Sequence, residues 1–277
     1  MTTKVAIVGA TGKMGRLFAG LVEEADDLDL VAELSSQSAL DEMLAADLVV
    51  DVTVPGVSQG VVDFAVANGK QVLVGTSGWS AERITTLRRT LGDKPRSGVL
   101  IIPNFSLGSV LATRFSALAA RFYDSIEIIE AHAASKVDSP SGTAVRTAEL
   151  MQAARSERGP VAAPHSDQRA RGQQVASIPV HSLRLAGIVA KQDVIFGGTG
   201  EVLTITHETI SPTAYAAGIL VALRAAVDLR GVTVGLDQLL DLAGESTTAN
   251  TVDASATDAA APENVSGQAA AATSVTP

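Results

Sequence analysis

A glycine-rich turn between the first predicted strand and the first predicted helix constrains this fold most. The β-branched run Val5–Val8 ends at Gly9, and a helix is predicted over Arg16–Glu24. Glycines let the backbone turn tightly and approach a pyrophosphate, while a helix N-terminus offers free N–H groups and positive potential. The turn therefore predicts a dinucleotide-binding site, formed by Gly9, Ala10, Thr11, Gly12, Lys13 and Met14.

The end of the second predicted strand, Leu28–Leu34, bears on which dinucleotide binds. Glu33 lies 18 residues beyond the last glycine of the turn, close to the usual spacing of an acid that binds the adenosine ribose. Ser35 shares its strand face and does not repel a 2′-phosphate, which Lys13 and Arg16 can attract. NADPH and NADH both remain open, and Glu33 is also compatible with a solvated strand end.

Strands and helices alternate through the first hundred residues. Apolar runs recur about every 20–25 residues, and the segments between them have helical periodicity. The further predicted strands are Leu48–Val54, Gln71–Val74 and Gly98–Ile102, and the helices are Ala39–Ala46, Val57–Asn68 and Ser80–Leu91. This order is typical of βαβ units and predicts a Rossmann-type parallel-sheet domain over residues 1–105.

The pattern changes after Asn104 to strands that lie closer together. Helices are predicted at Leu111–Tyr123, Pro140–Arg155 and Thr213–Val227, strands at Ser125–Glu130, Ile178–Val189, Asp193–Phe196 and Glu201–His207, and a loop over 156–175. The glycine turn Gly197–Gly200 lies between two strands, which can therefore pair antiparallel. We predict an α/β fold with a second, α+β domain over 106–212 that carries a mixed or antiparallel sheet, while 213–243 completes the first domain.

The charge and composition of the chain argue against several classes of function. It has 21 basic and 30 acidic residues, a net charge of −9, whereas nucleic-acid binding needs a basic surface. Cysteine is absent, which removes disulfides, thiolate nucleophiles and cysteine-bound metals. No apolar run is long enough to span a bilayer, and no signal peptide is recognisable. We expect a cytoplasmic protein with a disordered acidic tail over 244–277, no bound metal, and no nucleic-acid or membrane partner.

The segment 130–143 carries the most specific chemistry. The predicted strand Ser125–Glu130 delivers His132 to a loop, Lys136 follows four residues later, and Ser141–Thr143 opens a helix. Hydroxyl and N–H groups at a helix start bind carboxylates, and imidazole and ammonium groups transfer protons. The combination predicts binding and protonation of a small acidic substrate, with Ser141 among its ligands. Taken singly, each feature is also typical of a structural residue.

Several motifs in a fixed order resemble the dihydrodipicolinate reductase family. They are GATGKMG at Gly9–Gly15, DVTVP at Asp51–Pro55, GTSGW at Gly75–Trp79, PNFSLG at Pro103–Gly108, EAHAASKVDSPSGTA at Glu130–Ala144, and the stretches Ile178–Gly187 and Phe196–His207. The resemblance runs from Lys4 to Leu242, which is the whole chain apart from the tail. It implies NAD(P)H-dependent reduction of a cyclic dicarboxylate in lysine and diaminopimelate biosynthesis.

The resemblance also implies roles for individual residues. His132 would be the catalytic histidine and Lys136 the proton donor. Gly142 and Thr143 would hold a substrate carboxylate. The residues placed beside the nicotinamide would be Gly75, Thr76, Ser77, Ile102, Pro103, Asn104 and Phe105. The family assembles as a homotetramer through the sheets of its second domain, and the same is expected here.

Four positions depart from the family pattern. Ala133 and Ser135 stand where the family has histidines. Ser35 replaces its ribose-binding acid, and Pro212 replaces an arginine near the final helix. Fewer imidazoles leave less positive charge for a dicarboxylate. Two alternatives therefore stay open, namely a ligand-sensing paralogue that binds NAD(P)H without turnover, and a reductase of a different substrate.

Other assignments receive less support from the sequence. Short-chain reductases need a Tyr-x-x-x-Lys pair, and neither Tyr123 nor Tyr215 has a lysine four residues on. His181 and His207 lie in predicted strands, so packed or hydrogen-bonded roles are predicted for them, and His165 lies in the polar loop, where a solvated role is predicted. No cluster of His, Asp and Glu has the spacing of a metal site.

Overall fold

The computed structural model describes residues 2–240, so the predicted tail 244–277 and residues 241–243 of the returning segment lie outside the described residues. The strands are β1 (Thr3–Val8), β2 (Leu28–Leu34), β3 (Leu48–Asp51), β4 (Gln71–Val74), β5 (Gly98–Ile101), β6 (Ser125–Ala133), β7 (Gln173–Val175), β8 (Ile178–Leu185), β9 (Ala190–Gly198), β10 (Glu201–Thr209) and β11 (Gly231–Val234). The α-helices are α1 (Lys13–Glu23), α2 (Pro55–Ala67), α3 (Ala81–Leu91), α4 (Leu107–Ala119), α5 (Gly142–Ala154) and α6 (Ala216–Ala226).

The first sheet consists of six parallel strands in the order β11-β5-β4-β3-β1-β2. The chain leaves β1 toward β2 on one side and returns to β3 on the other. In such doubly wound sheets, ligands bind in the crevice at the carboxyl ends of the strands where the order reverses. The glycine turn after β1 lies at this point, and the predicted Rossmann-type sheet is confirmed.

Strand β1 shows how both faces of this sheet are covered. Val5 and Ile7 are fully buried in one apolar cluster, which includes Phe18 of α1. Ala6 lies in a second cluster with Val61 of α2 on the other face. Successive strand side chains point to opposite faces, so a continuous apolar run fits a strand that is buried on both sides.

Helix α6 packs against the first sheet although it lies far from it in sequence. Ile219, Ala222 and Leu223 are fully buried in the cluster that contains Phe18. Replacing Leu223 by alanine is expected to lower the free energy of unfolding by about 2–5 kcal/mol, because the side chain leaves a cavity. Denaturant unfolding measures this change. Arg224→Ala is the control, since its exposed pair with Asp27 contributes far less, and equal losses would contradict the packing argument.

The second sheet has the strand order β10-β9-β6-β8-β7. Strands β6 and β8 are parallel, and the other three pairs are antiparallel. Helix α5 covers one face, where Met151 packs with Ile126 and Ile128 in a third apolar cluster. The prediction of a second, mixed sheet is therefore confirmed.

The segment 156–175 is not the continuous loop that the sequence predicted. It contains a 3-10 turn at Arg169–Arg171 and strand β7, which pairs antiparallel with β8. Gly172 lies between the 3-10 turn and β7 and has φ of +75°. The strand is short, polar and largely exposed, so it carries no alternation of apolar side chains that a sequence pattern can detect.

Other predicted bounds also differ from the structure, and one strand was not predicted. Strand β3 ends at Asp51 rather than Val54, because helix α2 already begins at Pro55. Helix α4 begins at Leu107 rather than Leu111, since the Ser106 side chain caps its first turn. Strand β11 was missed altogether, because its four half-buried residues are strand only through pairing with β5.

Candidate active site

One cleft of about 350 Å³ is lined by residues from both sheets and their connecting loops. Of the sequence-predicted site residues, it brings together Met14, Gly75, Pro103, Asn104, Phe105, His132, Lys136, Ser141 and Thr143. The start of α1 and the loops that follow β4 and β5 supply the first five, and strand β6, the turn after it and the start of α5 supply the others. The cleft can therefore place a cofactor beside groups that transfer protons.

The glycine turn packs closely against the neighbouring backbone. Gly9 has φ of +92°, and an added Cβ would lie 2.6 Å from the carbonyl oxygen of Val52. At Gly15 an added Cβ would collide with the carbonyl oxygen of Gly9, so helix and turn approach without side chains between them. Gly12 caps helix α1 without a side-chain acceptor, which leaves N–H groups of the first turn for an anion.

The remaining cofactor residues lie outside the cleft lining, and their roles stay predictions. Ile102 is buried in the core and Thr76 is buried with its hydroxyl 3.3 Å from the carbonyl oxygen of Asp51, so only their backbones can face a ligand. Ser77 is exposed. Glu33 is also exposed, and it borders a separate depression along β2.

Strand β6 extends past its predicted end and carries His132 into the cleft. Glu130 and His132 are two residues apart and share a face of the strand. The Nδ1 of His132 lies 2.6 Å from the Oε2 of Glu130, and the ring is largely buried. A contact of this kind fixes the orientation of the imidazole.

The carboxylate of Glu130 is fully buried and has several partners. Arg184 approaches both oxygens, at 2.9 and 3.0 Å, and the backbone N–H of Ser141 donates to Oε1 at 3.2 Å. Burial, the largest influence on the pKa of Glu130, raises it, but hydrogen bonds from Arg184, Ser182 and His132 together hold the pKa below its usual value. Glu130 is therefore ionised at neutral pH.

Lys136 lies in the turn after β6. Its backbone N–H donates to the carbonyl oxygen of Ala133 at 3.0 Å, and its Nζ lies 2.8 Å from Oδ1 of Asp138. The bond from Lys136 is the main reason that the pKa of Asp138 lies below its usual value. The ammonium group is partly exposed and therefore able to exchange protons with a bound molecule and with water.

The start of helix α5 forms the wall of the cleft beside His132. Ser141 caps the helix, and its hydroxyl accepts from the N–H of Ala144 at 3.2 Å. An added Cβ at Gly142 would meet nothing within 4 Å, so the protein itself does not need a glycine there. Open space beside the N-terminus of a 13-residue helix suits a carboxylate.

Sequence reasoning missed Gln192, and it predicted a packed or hydrogen-bonded His207 without placing it in this cleft, which both residues line. Gln192 stands opposite Glu130 in the pairing of β6 with β9, and its Nε2 lies 3.1 Å from the hydroxyl of Thr147. The Nε2 of His207 lies 3.1 Å from the hydroxyl of Ser106, which links β10 to the start of α4. Both positions depend on strand register, which no local pattern in the sequence reports.

His207 is expected to make stability depend on pH. Burial lowers the pKa of its imidazole below the usual value, so its stabilising contribution is present above about pH 6.5 and is lost as the pH falls through the lower folded value. Between about pH 7.5 and 5, the Tm of the wild type should fall more steeply than that of His207→Gln. Thermal scans across this range measure the slopes. His165→Asn, in an exposed loop, should keep the wild-type slope, and identical slopes for all three proteins would refute the assignment.

Models of known protein families match nearly the whole described chain. Residues 3–105 match the N-terminus of dihydrodipicolinate reductase, and residues 108–240 match its C-terminus. The chain belongs to the dihydrodipicolinate reductase family. Residues of both matched parts, the N-terminal and the C-terminal one, therefore line the cleft.

Individual members of the dihydrodipicolinate reductase family are similar to this chain over most of their length. A 4-hydroxy-tetrahydrodipicolinate reductase of Clavibacter sepedonicus is 68% identical, covering 88% of this chain and 88% of the relative. One from Nocardia farcinica is 45% identical, covering 87% of this chain and 100% of the relative. The solved structure of a dipicolinate-bound dihydrodipicolinate reductase from Paenisporosarcina sp. TG-14 is 26% identical with a TM-score of 0.75, covering 87% of this chain and all of that one.

Small side chains stand at the two positions where the resemblance implies histidines. Ala133 is the last residue of β6, and Ser135 lies in the turn before Lys136. Ser35 forms a local turn instead of presenting a carboxylate, since its hydroxyl accepts from the N–H of Gln37 at 3.2 Å.

Among residues 2–240, no helix is long and apolar enough to cross a membrane.

Proposed function

We propose that this protein reduces 4-hydroxy-tetrahydrodipicolinate to tetrahydrodipicolinate with NADPH or NADH, in lysine and diaminopimelate biosynthesis. The observation that carries the proposal is a single cleft containing Met14 of the nucleotide turn together with His132 and Lys136. The printed names of relatives that are 68% and 45% identical support the same reaction. The dipicolinate in the Paenisporosarcina structure supports a cyclic dicarboxylate as the ligand class.

The first sheet would hold the nucleotide at the carboxyl ends of its strands. Gly9 to Met14 would bind the pyrophosphate through backbone N–H groups. Gly75, Thr76, Ser77 and the segment Ile102–Phe105 would flank the nicotinamide, with Thr76 and Ile102 contributing backbone only. When bound, the nicotinamide supplies the hydride. NADPH would be preferred if Lys13 and Arg16 attract its 2′-phosphate more strongly than Glu33 binds the adenosine ribose, and NADH would be preferred in the opposite case.

The conversion consumes substrate, one NAD(P)H and one proton, and it releases product, NAD(P)⁺ and water. The 4-hydroxyl of the substrate leaves with a proton as water, which gives an unsaturated imine. As hydride adds to C4, the double-bond electrons move toward the ring nitrogen, which then takes up a proton. The Lys136 ammonium donates that proton and then takes up another proton from solvent. His132 assists proton transfer and stabilises the developing charge.

The N-terminus of α5 would bind a substrate carboxylate. Ser141, Gly142 and Thr143 combine hydroxyl groups, N–H groups and the positive helix end there. Since Ala133 and Ser135 carry no positive charge, the attraction for a dicarboxylate has to come from this helix start, from Lys136 and from Lys191, which also lines the cleft. We therefore expect substrate binding to be weaker than in relatives with histidines at these positions.

A coupled assay tests the proposed function. The purified protein receives NADPH or NADH, and the preceding synthase generates the unstable substrate from pyruvate and aspartate semialdehyde. Loss of reduced-nicotinamide absorbance that needs both the synthase and this protein would support the proposal and rank the two cofactors. Intact nucleotide binding without any oxidation would instead favour a ligand-sensing paralogue or a different substrate.

The assembly proposed for this protein is a homotetramer formed through the outer face of the second sheet. Leu183, Leu185 and Val202 lie on that face, opposite to the one covered by α5, and they are 39%, 46% and 69% exposed. An apolar sheet face of this kind is typical of a protein interface. Sedimentation analysis tests the tetramer, and Val202→Asp should weaken it.

The absence of cysteine from the whole chain agrees with a cytoplasmic location.

A further inference from the structure

We infer that Glu130 is a positioning residue that fixes the tautomer and direction of His132 and couples it to the start of helix α5. The inference deepens the proposed function and rests on it, because His132 is the proposed proton-transfer residue. Glu130 itself is fully buried and does not line the cleft, so it acts only through other groups.

The chemistry of the carboxylate determines which nitrogen of His132 carries a proton. An ionised carboxylate only accepts hydrogen bonds, so the Nδ1 that lies 2.6 Å from Oε2 must be the protonated nitrogen. Arg184 keeps the carboxylate ionised by bonding both oxygens, at 2.9 and 3.0 Å. In the neutral imidazole, Nε2 then carries the free lone pair and is the nitrogen that can accept a proton.

The same carboxylate ties His132 to the two other elements of the proposed site. Its Oε1 accepts from the N–H of Ser141 at 3.2 Å, which holds the cap of α5. Arg184 also donates to the backbone carbonyl of Asp138 at 2.5 Å, and Asp138 pairs with Lys136. One buried ion pair therefore fixes the relative positions of the imidazole, the carboxylate-binding helix start and the turn that carries the ammonium group.

The chain contains a matched control for this arrangement. Glu127, three residues earlier on β6, also bonds one arginine and one histidine, Arg171 and His181, with 2.7 Å between its Oε2 and the Nε2 of His181. Its odd spacing from Glu130 places it on the other face of the sheet, and none of these three residues lines the cleft. Glu127→Gln removes the same kind of carboxylate from the same strand without touching the proposed site.

Kinetics and imidazole spectroscopy together test the inference. Glu130→Gln should lower kcat by about 100-fold while leaving the Kd for NADPH within about twofold, and Glu127→Gln should leave both nearly unchanged. In nitrogen-15 spectra of the wild type at alkaline pH, the two ring nitrogens of His132 should show the Nδ1–H tautomer. The chain has only four histidines, and His132→Asn identifies the resonance by its loss.

The outcomes separate this inference from the proposed function. An Nε2–H tautomer of His132 in the wild type, or equal kcat values for the Glu130 and Glu127 variants, would overturn the inference and leave the reductase assignment intact. An inactive wild type with the Nδ1–H tautomer would overturn the reductase assignment and support the positioning role. If Glu130→Gln fails to fold, the wild-type spectrum alone decides.

Discussion

Replacing Lys136 by alanine is expected to lower kcat by at least about 100-fold, because no other ammonium group is proposed to protonate the ring nitrogen. The side chain lies in the same cleft as His132, and its Nζ is held 2.8 Å from Asp138 in a partly exposed turn. Nucleotide affinity should change little, since the glycine turn of the first sheet is untouched. Steady-state kinetics with the coupled synthase, together with nucleotide titration by fluorescence, measure both quantities.

Lys136→Arg distinguishes proton donation by Lys136 from attraction of the substrate by its positive charge alone. Arginine keeps the positive charge that attracts a dicarboxylate, but the pKa of its guanidinium is far higher than that of a lysine ammonium, which makes it a poor acid. We therefore expect its KM to stay closer to the wild-type value than that of Lys136→Ala, while its kcat stays low. Full turnover in the alanine variant would show that another group, or water, provides the proton.

Substitution of Gly15 by alanine is expected to weaken nucleotide binding. The new Cβ would collide with the carbonyl oxygen of Gly9 and with the backbone of Ala10, so helix α1 would have to move away from the turn. Overpacking of this kind costs about 1–3 kcal/mol in the free energy of unfolding. The displaced helix start would also lose its alignment with the pyrophosphate, and we expect the Kd for NADPH to rise at least about tenfold.

Gly20 provides the control on the same helix. An added Cβ there meets nothing within 4 Å, and alanine is a better helix former than glycine. Gly20→Ala should therefore raise the free energy of unfolding by about 0.5–1 kcal/mol and leave the Kd for NADPH unchanged. Denaturant unfolding and fluorescence titration test both variants. Equal behaviour of the two alanines would show that close approach of helix and turn is not required.

Much of the first sheet could be predicted because its signals are local. Strands β2 and β4 have the predicted bounds, since each is an apolar run closed by residues that interrupt a strand. The helix that follows β4 also ends at the predicted Leu91. The site segment from His132 to Thr143 was found for the same reason, because a strand end, a turn and a helix start lie within twelve residues.

The remaining features depend on contacts between residues far apart in sequence. Strand β7 carries too few apolar residues to show a period, and β11 becomes a strand only beside β5. Gln192 reaches the cleft because β9 pairs with β6 in one register, and a shift by one residue would turn its side chain to the other face. His207 likewise meets Ser106, which is 101 residues away in the chain.

The sequence by itself determined the parallel sheet, the glycine turn, the family and the His132–Lys136 segment, because periodicity, glycine spacing and motif order are properties of neighbouring residues. Only the tertiary structure decided which groups surround that segment. The partners of Glu130 come from β6, β8 and the start of α5, and they meet because the strands pair in register and a buried carboxylate requires compensating charge and hydrogen bonds.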